Sequence, residues 1–388
     1  MFLNLVALAL IQAVVIASAR LTFQLERSSQ PPATHIDSLV KDELDVLSAK
    51  YIHNAFAFRK NTGLHDSSVN ATTLRKRSAA QIQMNEEADH SDPWSTFISV
   101  GFPPQSVAVT FDTSSADVTV DSSYDAEKSI TSRQLSDPDS VHVDDISFGP
   151  FELKKVAISP SSYNSARIGL AFPSISSAPP VNSFTNVLSL HLEKNIYQFT
   201  LGEKHGSLNV GSFDHSMFFG NVSWNAVNPA QGYWTTPFTW NGLSFRGTVD
   251  STSRVVLGSN ADVKRLLMSM EGVRITKSKD GSYIGLFDCD KATSSDLVLG
   301  GVPLKFSASV KHNNECQVPI IGMDGLNHWI LGEPIFQLVS VILDFDNHRI
   351  GFARRRVNTQ RSTRPRSVNT FRSRREGKSP NIHAPSLS

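Results

Sequence analysis

The chain is poor in cysteine, with two among its 388 residues, and its acidic and basic side chains nearly cancel, 36 against 37. No charge of one sign dominates the whole molecule. The twelve histidines contain no H-E-x-x-H pattern and no convincing ligand spacing, so no catalytic metal is expected. There is no G-x-S-x-G nucleophile turn and no glycine-rich phosphate loop, and no cofactor is implied. The acidic stretches DCD (288–290) and SDPDS (136–140) read as ordinary polar turns rather than calcium loops. Beyond the first twenty residues no segment is apolar enough to span a bilayer.

That leading run, MFLNLVALALIQAVVIASAR, ends in Ala17-Ser18-Ala19 before Arg20, the small-residue pattern of a cleaved secretory signal over 1–19. A secreted protein folds in an oxidising compartment, where Cys289 and Cys316 read as one disulfide. Asn70 and Asn221, in N-A-T and N-V-S, are then glycosylation acceptors. Residues 20–77 differ in character from the strand-rich region after them. LVKDELDVLSAKYIHNAFAFRK (39–60) has helical apolar spacing, and the segment closes on the dibasic pair Lys76-Arg77, so it is expected to be a propeptide removed during export.

From about 94 to 353 the text turns to short alternating or apolar runs broken by Gly, Pro, Asn and Ser: WSTFISVGF, SVAVTF, ADVTV, GSLNVGSF, LVSVILDF, RIGFA. Alternation over four to eight residues is strand text, so the region is expected to be all-β with minor helices. The clearest helical patterns are FTNVLSLHLEKN (184–195) and DVKRLLMSMEGV (262–273). After Phe352 the chain becomes basic and nearly devoid of aliphatics. Residues 354–388 carry ten Lys or Arg against one Glu, and a disordered tail is expected there. A solvated tail is the plain reading; the other is contact with polyanions, without a specific nucleic-acid partner.

Two short stretches decide the function. In VAVTFDTSS an apolar strand delivers Asp112 into a cluster of hydroxyls, and FRGTVDSTS repeats the arrangement at Asp250 in the second half of the region. This pattern resembles the pepsin-like aspartic proteases, whose mark is Asp-Thr/Ser-Gly in each of two β-lobes. WSTFISVGFPPQSVAVTFDTSS resembles the family's opening strand and first aspartate loop, and ARIGLAFP (166–173) its apolar-apolar-Gly segment behind that loop. YWTTPFTWNGLSFRGTVDSTS and HWILGEPIFQLVSVILDFDNHRIGFA follow in the family's order, and Cys289 and Cys316 sit where it has a disulfide.

The resemblance implies a bilobal fold, with an N-terminal lobe over 90–235 and a C-terminal lobe over 236–353. It implies that Asp112 and Asp250 share a proton and activate a water against a peptide bond in the interlobe cleft. Thr113 and Ser251 would cross-brace the two loops, and Ser115 would support the first aspartate. The protein would work as a monomer on peptide or protein substrates.

The chain departs from the family at several points. Ser114 and Thr252 stand where the signature has glycine, and Arg254 follows the second loop where Ser or Thr is common. A side chain at a glycine position restricts the backbone, and a guanidinium could hold both carboxylates ionised. The interval 122–141 lacks the Tyr-Gly of the family's flap, its Tyr124 comes too early, and Thr119 takes the place of the flap's Trp partner. Two main readings therefore stand: an aspartic endopeptidase, or a pseudoprotease that binds a peptide or protein, or acts as an inhibitor, without turnover. A third, polyanion binding through the tail, is separable because loss of 354–388 would abolish it alone.

Overall fold

The structure is a computed structural model that describes residues 21–27, 36–74, 94–135, 141–161, 165–202, 205–291, 293–312 and 315–356. Residues 1–19, Lys76-Arg77, SDPDS and the tail beyond Arg356 lie outside the described residues, while Arg354 and Arg355 of the expected tail continue the last strand. The described residues belong to one compact unit ending at Arg356. Strands dominate it, arranged in a thirteen-stranded and a ten-stranded sheet. Among the described residues no helix is long and apolar enough to cross a membrane.

Each sheet contains the same crossed unit. In the first, strand Gln105–Asp112 runs parallel to Ala166–Gly169, which pairs antiparallel with Val118–Val120. In the second, Leu243–Val249 runs parallel to Trp329–Leu331, which pairs antiparallel with Val256–Gly258. Parallel neighbours cannot be joined by a tight hairpin, so each unit draws on distant segments to hold one loop. The two loops so held begin at Asp112 and Asp250. Val107, Val109 and Phe111 are buried behind the first, and Val249, Ile330 and Leu331 behind the second.

The leading segment is built into this frame. Strand Leu21–Arg27 pairs along six residues with His205–Val210 and meets Trp94–Ser95 on its other side. Helix Ile36–Thr62 follows, and its apolar spacing buries Val40, Leu44, Leu47, Tyr51 and Phe58. The chain's last two strands, Val339–Asp344 and Arg349–Arg355, return to the first sheet against Ile196–Leu201 and Phe218–Ala226. Cys289 and Cys316 form a disulfide that staples Tyr283–Asp288 to its partner Glu315–Gly322.

Both expected helices are shorter than their text. One covers Phe184–Ser189, and further along the Asn195 amide donates to Asp346. The other starts earlier, at Asn260, where Ser259 caps it by accepting the Asp262 amide, and ends at Met268 ahead of Gly272 at φ +77°. Asn70 and Asn221 are both exposed.

Candidate active site

Asp112 and Asp250 close the two parallel strands and are both fully buried. The loops they open are tied to each other. The Thr113 amide donates to Ser251 Oγ and the Ser251 amide to Thr113 Oγ1, each at 3.1 Å. Thr113 Oγ1 then donates to the Val249 carbonyl at 2.8 Å and Ser251 Oγ to the Phe111 carbonyl at 2.5 Å. Each hydroxyl reaches across to the opposite strand, so the two aspartates cannot drift apart without breaking four bonds. Ser115 stands beside this brace on a cavity wall, and its carbonyl accepts the Ala171 amide.

The residues in place of the signature glycines fit without backbone strain. Among the described residues the non-glycine positions with positive φ are Lys155, Asn241 and His348, and neither Ser114 nor Thr252 is one of them. A β-carbon is therefore admissible in both loops, contrary to the restriction expected from the missing glycines. The added hydroxyls act on the pair itself. Ser114 Oγ donates to Asp112 Oδ1 at 2.8 Å and Thr252 Oγ1 to Asp250 Oδ1 at 2.9 Å, beside the amides of the same residues.

The glycines that matter lie behind the loops. A β-carbon on Gly169 would stand 2.5 Å from the Ser115 carbonyl oxygen, and one on Gly332 2.1 Å from that of Val255. Both contacts are with backbone, which cannot yield as a side-chain end can.

Arg254 is not the cation at the pair. Its amide donates to buried Glu43, and its guanidinium acts electrostatically on Glu43 and Glu333. Arg167 is the nearer one: its Nη1 lies 3.6 Å from Asp112 Oδ2, and the side chain is buried. It occupies the first apolar place of the expected apolar-apolar-Gly segment, on a strand between Thr110 and Thr119, and its buried side chain reaches Asp112 from there.

The group closest to both aspartates comes from the leading helix. Lys50 Nζ lies 2.9 and 2.8 Å from the Asp250 oxygens, 3.4 and 3.3 Å from those of Asp112, and 2.8 Å from Thr252 Oγ1. Tyr51 donates its hydroxyl to Asp250 Oδ2 at 3.2 Å. Burial alone would raise the Asp250 pKa, but the Lys50 charge and bonds from Lys50, Thr252 and Ser114 outweigh it and hold it below the ordinary 3.8. Nothing in the sequence patterns singled out Lys50. The one available signal was a lysine inside the helix's apolar stripe, three residues after Leu47 and one before Tyr51.

The same helix lies along the cleft. Asn54 donates to the Ser114 carbonyl, His53 Nε2 stands 3.4 Å from Asp117, and Asn61 donates to the Ser176 carbonyl. Beyond it, Val69 bridges to Leu326 and Tyr233 donates to Asp66. Where a flap would close, Arg133–Gln134 pairs with His142–Val143 among the described residues, and the Leu135 amide donates to the Val141 carbonyl. Tyr124 is turned into the body and donates to Asp144 at 2.7 Å. Thr119 lines a cavity of about 460 Å³ between the helix and the N-terminal half.

Residues 135–355 match the family model of the eukaryotic aspartyl protease. The chain belongs to this family. The match contains Asp250 and begins beyond Asp112. Secreted aspartyl protease 1 of Malassezia globosa is 27% identical over 346 residues, covering 81% of this chain and 87% of that protein. A second protein of the same organism, named as a probable inactive secreted aspartyl protease, is 25% identical over 358 residues, covering 81% of this chain and 90% of its own length. The aspartic proteinase of Irpex lacteus has the same fold, with a TM-score of 0.57 over 69% of this chain and 95% of its own at 15% identity. This aspartyl protease chain therefore has the bilobal, mostly β pepsin-like fold, the fold whose cleft takes peptide substrates. Among the described residues no three His, Cys, Asp or Glu side chains are grouped to hold a metal ion.

Proposed function

We propose that the protein is a secreted aspartic endopeptidase, made as a precursor whose residues 20–77 block the site, with Asp112 and Asp250 as its catalytic pair. One observation carries this reading: two fully buried carboxylates from separate loops converge on a single ammonium group, within 3.4 Å of all four oxygens. Two such groups side by side cannot both ionise cheaply without a cation, so removal of Lys50 leaves a pair that shares one proton. The unprotonated carboxylate takes a proton from a water as its oxygen bonds to the scissile carbonyl carbon. The protonated one donates to the carbonyl oxygen. The tetrahedral diol then breaks its C–N bond as the newly protonated carboxylate gives its proton to the leaving nitrogen. A diol hydroxyl gives its own proton to the other carboxylate as C=O reforms, so the pair again holds one proton. Cleavage after Lys76-Arg77, followed by departure of the helix, would open the cleft, and Asn70 and Asn221 would carry glycans.

The second reading is a pseudoprotease, and Arg167 is the observation that favours it, because a fixed cation beside Asp112 opposes the shared proton. Protein processed at Arg77, incubated with an unfolded substrate from about pH 3 to 7, separates the two. Cleavage is expected to peak in acid and to fall at least about a thousandfold in Asp112→Asn. Cleavage equal in the wild type and the variant would sink the endopeptidase reading.

A further inference from the structure

The leading helix carries basic side chains along one stripe. Lys50, His53 and Lys60 all line the 460 Å³ cavity beside the aspartate pair, spaced so that they share one helix face. The opposite wall is mainly hydroxyl-bearing, with Ser115, Thr119, Ser159 and Ser161. Its charged groups are Arg167, which lies against Asp112, and Asp117.

Asp117 is 5% exposed and held rigidly. Ser176 Oγ donates to its Oδ1 at 2.6 Å, and the amide and hydroxyl of Ser177 donate at 3.0 and 2.7 Å. Burial would raise its pKa, but the bonds from His53, Ser176 and Ser177 outweigh that and lower it, so it stays ionised in mild acid. Its contact from the cleft side is His53 Nε2 at 3.4 Å, and the His53 side chain is 58% exposed while Asp117 is not.

The helix thus sets a basic side chain against a preorganised carboxylate, in a cavity that widens once the helix leaves. We propose that Asp117 forms an anionic subsite that takes a lysine or arginine side chain of the bound peptide, where His53 sits in the precursor. The inference rests on the peptide-cleft reading above and names its substrate class: peptides with a basic residue close to the scissile bond. A desolvated charge-assisted contact of this kind gives a preference of about tenfold or more.

The test uses protein processed at Arg77 and a constant hexapeptide in which lysine or norleucine is walked through each position. Both kcat/KM and the equilibrium Kd are measured, for the wild type and for Asp117→Asn. The expected result is a lysine preference of about tenfold or more at one position, collapsing to near one in Asp117→Asn. A parallel fall for both peptides with the ratio unchanged would mean that Asp117 only anchors the Ser176–Ser177 turn, and would overturn the proposal. So would the absence of a lysine preference in the wild type. If no peptide is cleaved, the protease reading fails, while the Kd ratio still decides the subsite. If peptides are cleaved without a lysine preference, the subsite fails alone.

Discussion

Lys50→Met is expected to destabilise the full-length protein by about 3–5 kcal/mol at pH 7, the cost of removing one partner from a buried ion pair. Methionine keeps the length of the side chain and loses its charge. The Asp112 and Asp250 carboxylates are both fully buried and would then face each other with Arg167 as the nearest remaining cation. The effect has a defined pH dependence. The Asp250 pKa is lowered in the folded protein, so its pairing stabilises that state above the ordinary 3.8 and is lost as pH falls through the lower folded value.

The difference between variant and wild type should be full at neutral pH and shrink as the solution is acidified past that window. Glu43 works in the opposite sense. Burial raises its pKa, so its contribution is present below the ordinary 4.5 and is lost as pH rises through the folded value. It is common to both proteins and largely cancels from the comparison. Urea unfolding midpoints at pH 7 and in increasing acid measure this directly. Identical midpoints at neutral pH would mean that Lys50 does not neutralise the pair.

Gly169→Ala is expected to cost roughly 3 kcal/mol, at the top of the usual overpacking range. Its β-carbon would meet the Ser115 carbonyl oxygen at 2.5 Å and the Asp117 amide nitrogen at 2.6 Å, both main-chain atoms of the first aspartate loop. Relief requires that loop to move, which pulls on the brace between Thr113 and Ser251 and on the turn that holds Asp117. Loss of thermal stability should therefore accompany loss of any activity. Gly220→Ala is the control. Gly220 has φ +72° and nothing within 4 Å of the added carbon, so about 1 kcal/mol of backbone strain is all that is expected there. Equal melting temperatures for the two variants would show that the first loop has slack that the packing does not suggest.

Much of the site could be read before any fold was known, because its parts are local. Asp112 and Asp250 each end an apolar run and begin a hydroxyl cluster, and Thr113 and Ser251 stand next to them. Strand alternation placed both on a β framework. The interval 122–141 also lacks the alternation that a full hairpin needs, and among the described residues Arg133–Gln134 pairs there with His142–Val143.

Local pattern failed where charge crosses between segments. Arg254 lies four residues after Asp250, yet it acts on Glu43, while Arg167, far from Asp112 in the chain, reaches Asp112 because a parallel strand pairing brings it there. The leading segment shows the same division. Its helix was legible from apolar spacing, but its strand Leu21–Arg27 became part of a sheet only because Glu26 and Arg27 meet Ser95 and Trp94 while the rest pairs with residues near 206.

By itself the sequence determined the secondary-structure periods, the two carboxylates and the hydroxyls that tie them, since each depends on a residue type and its near neighbours. It also determined the single disulfide, since the chain has only two cysteines. Tertiary structure alone decided which cation sits on the pair, that serine and threonine fit where glycine was expected, and which carboxylate faces the open cavity. Those outcomes depend on distances between segments up to 200 positions apart, as for Lys50 and Asp250. Electrostatics falls off with distance in space and takes no account of distance along the chain.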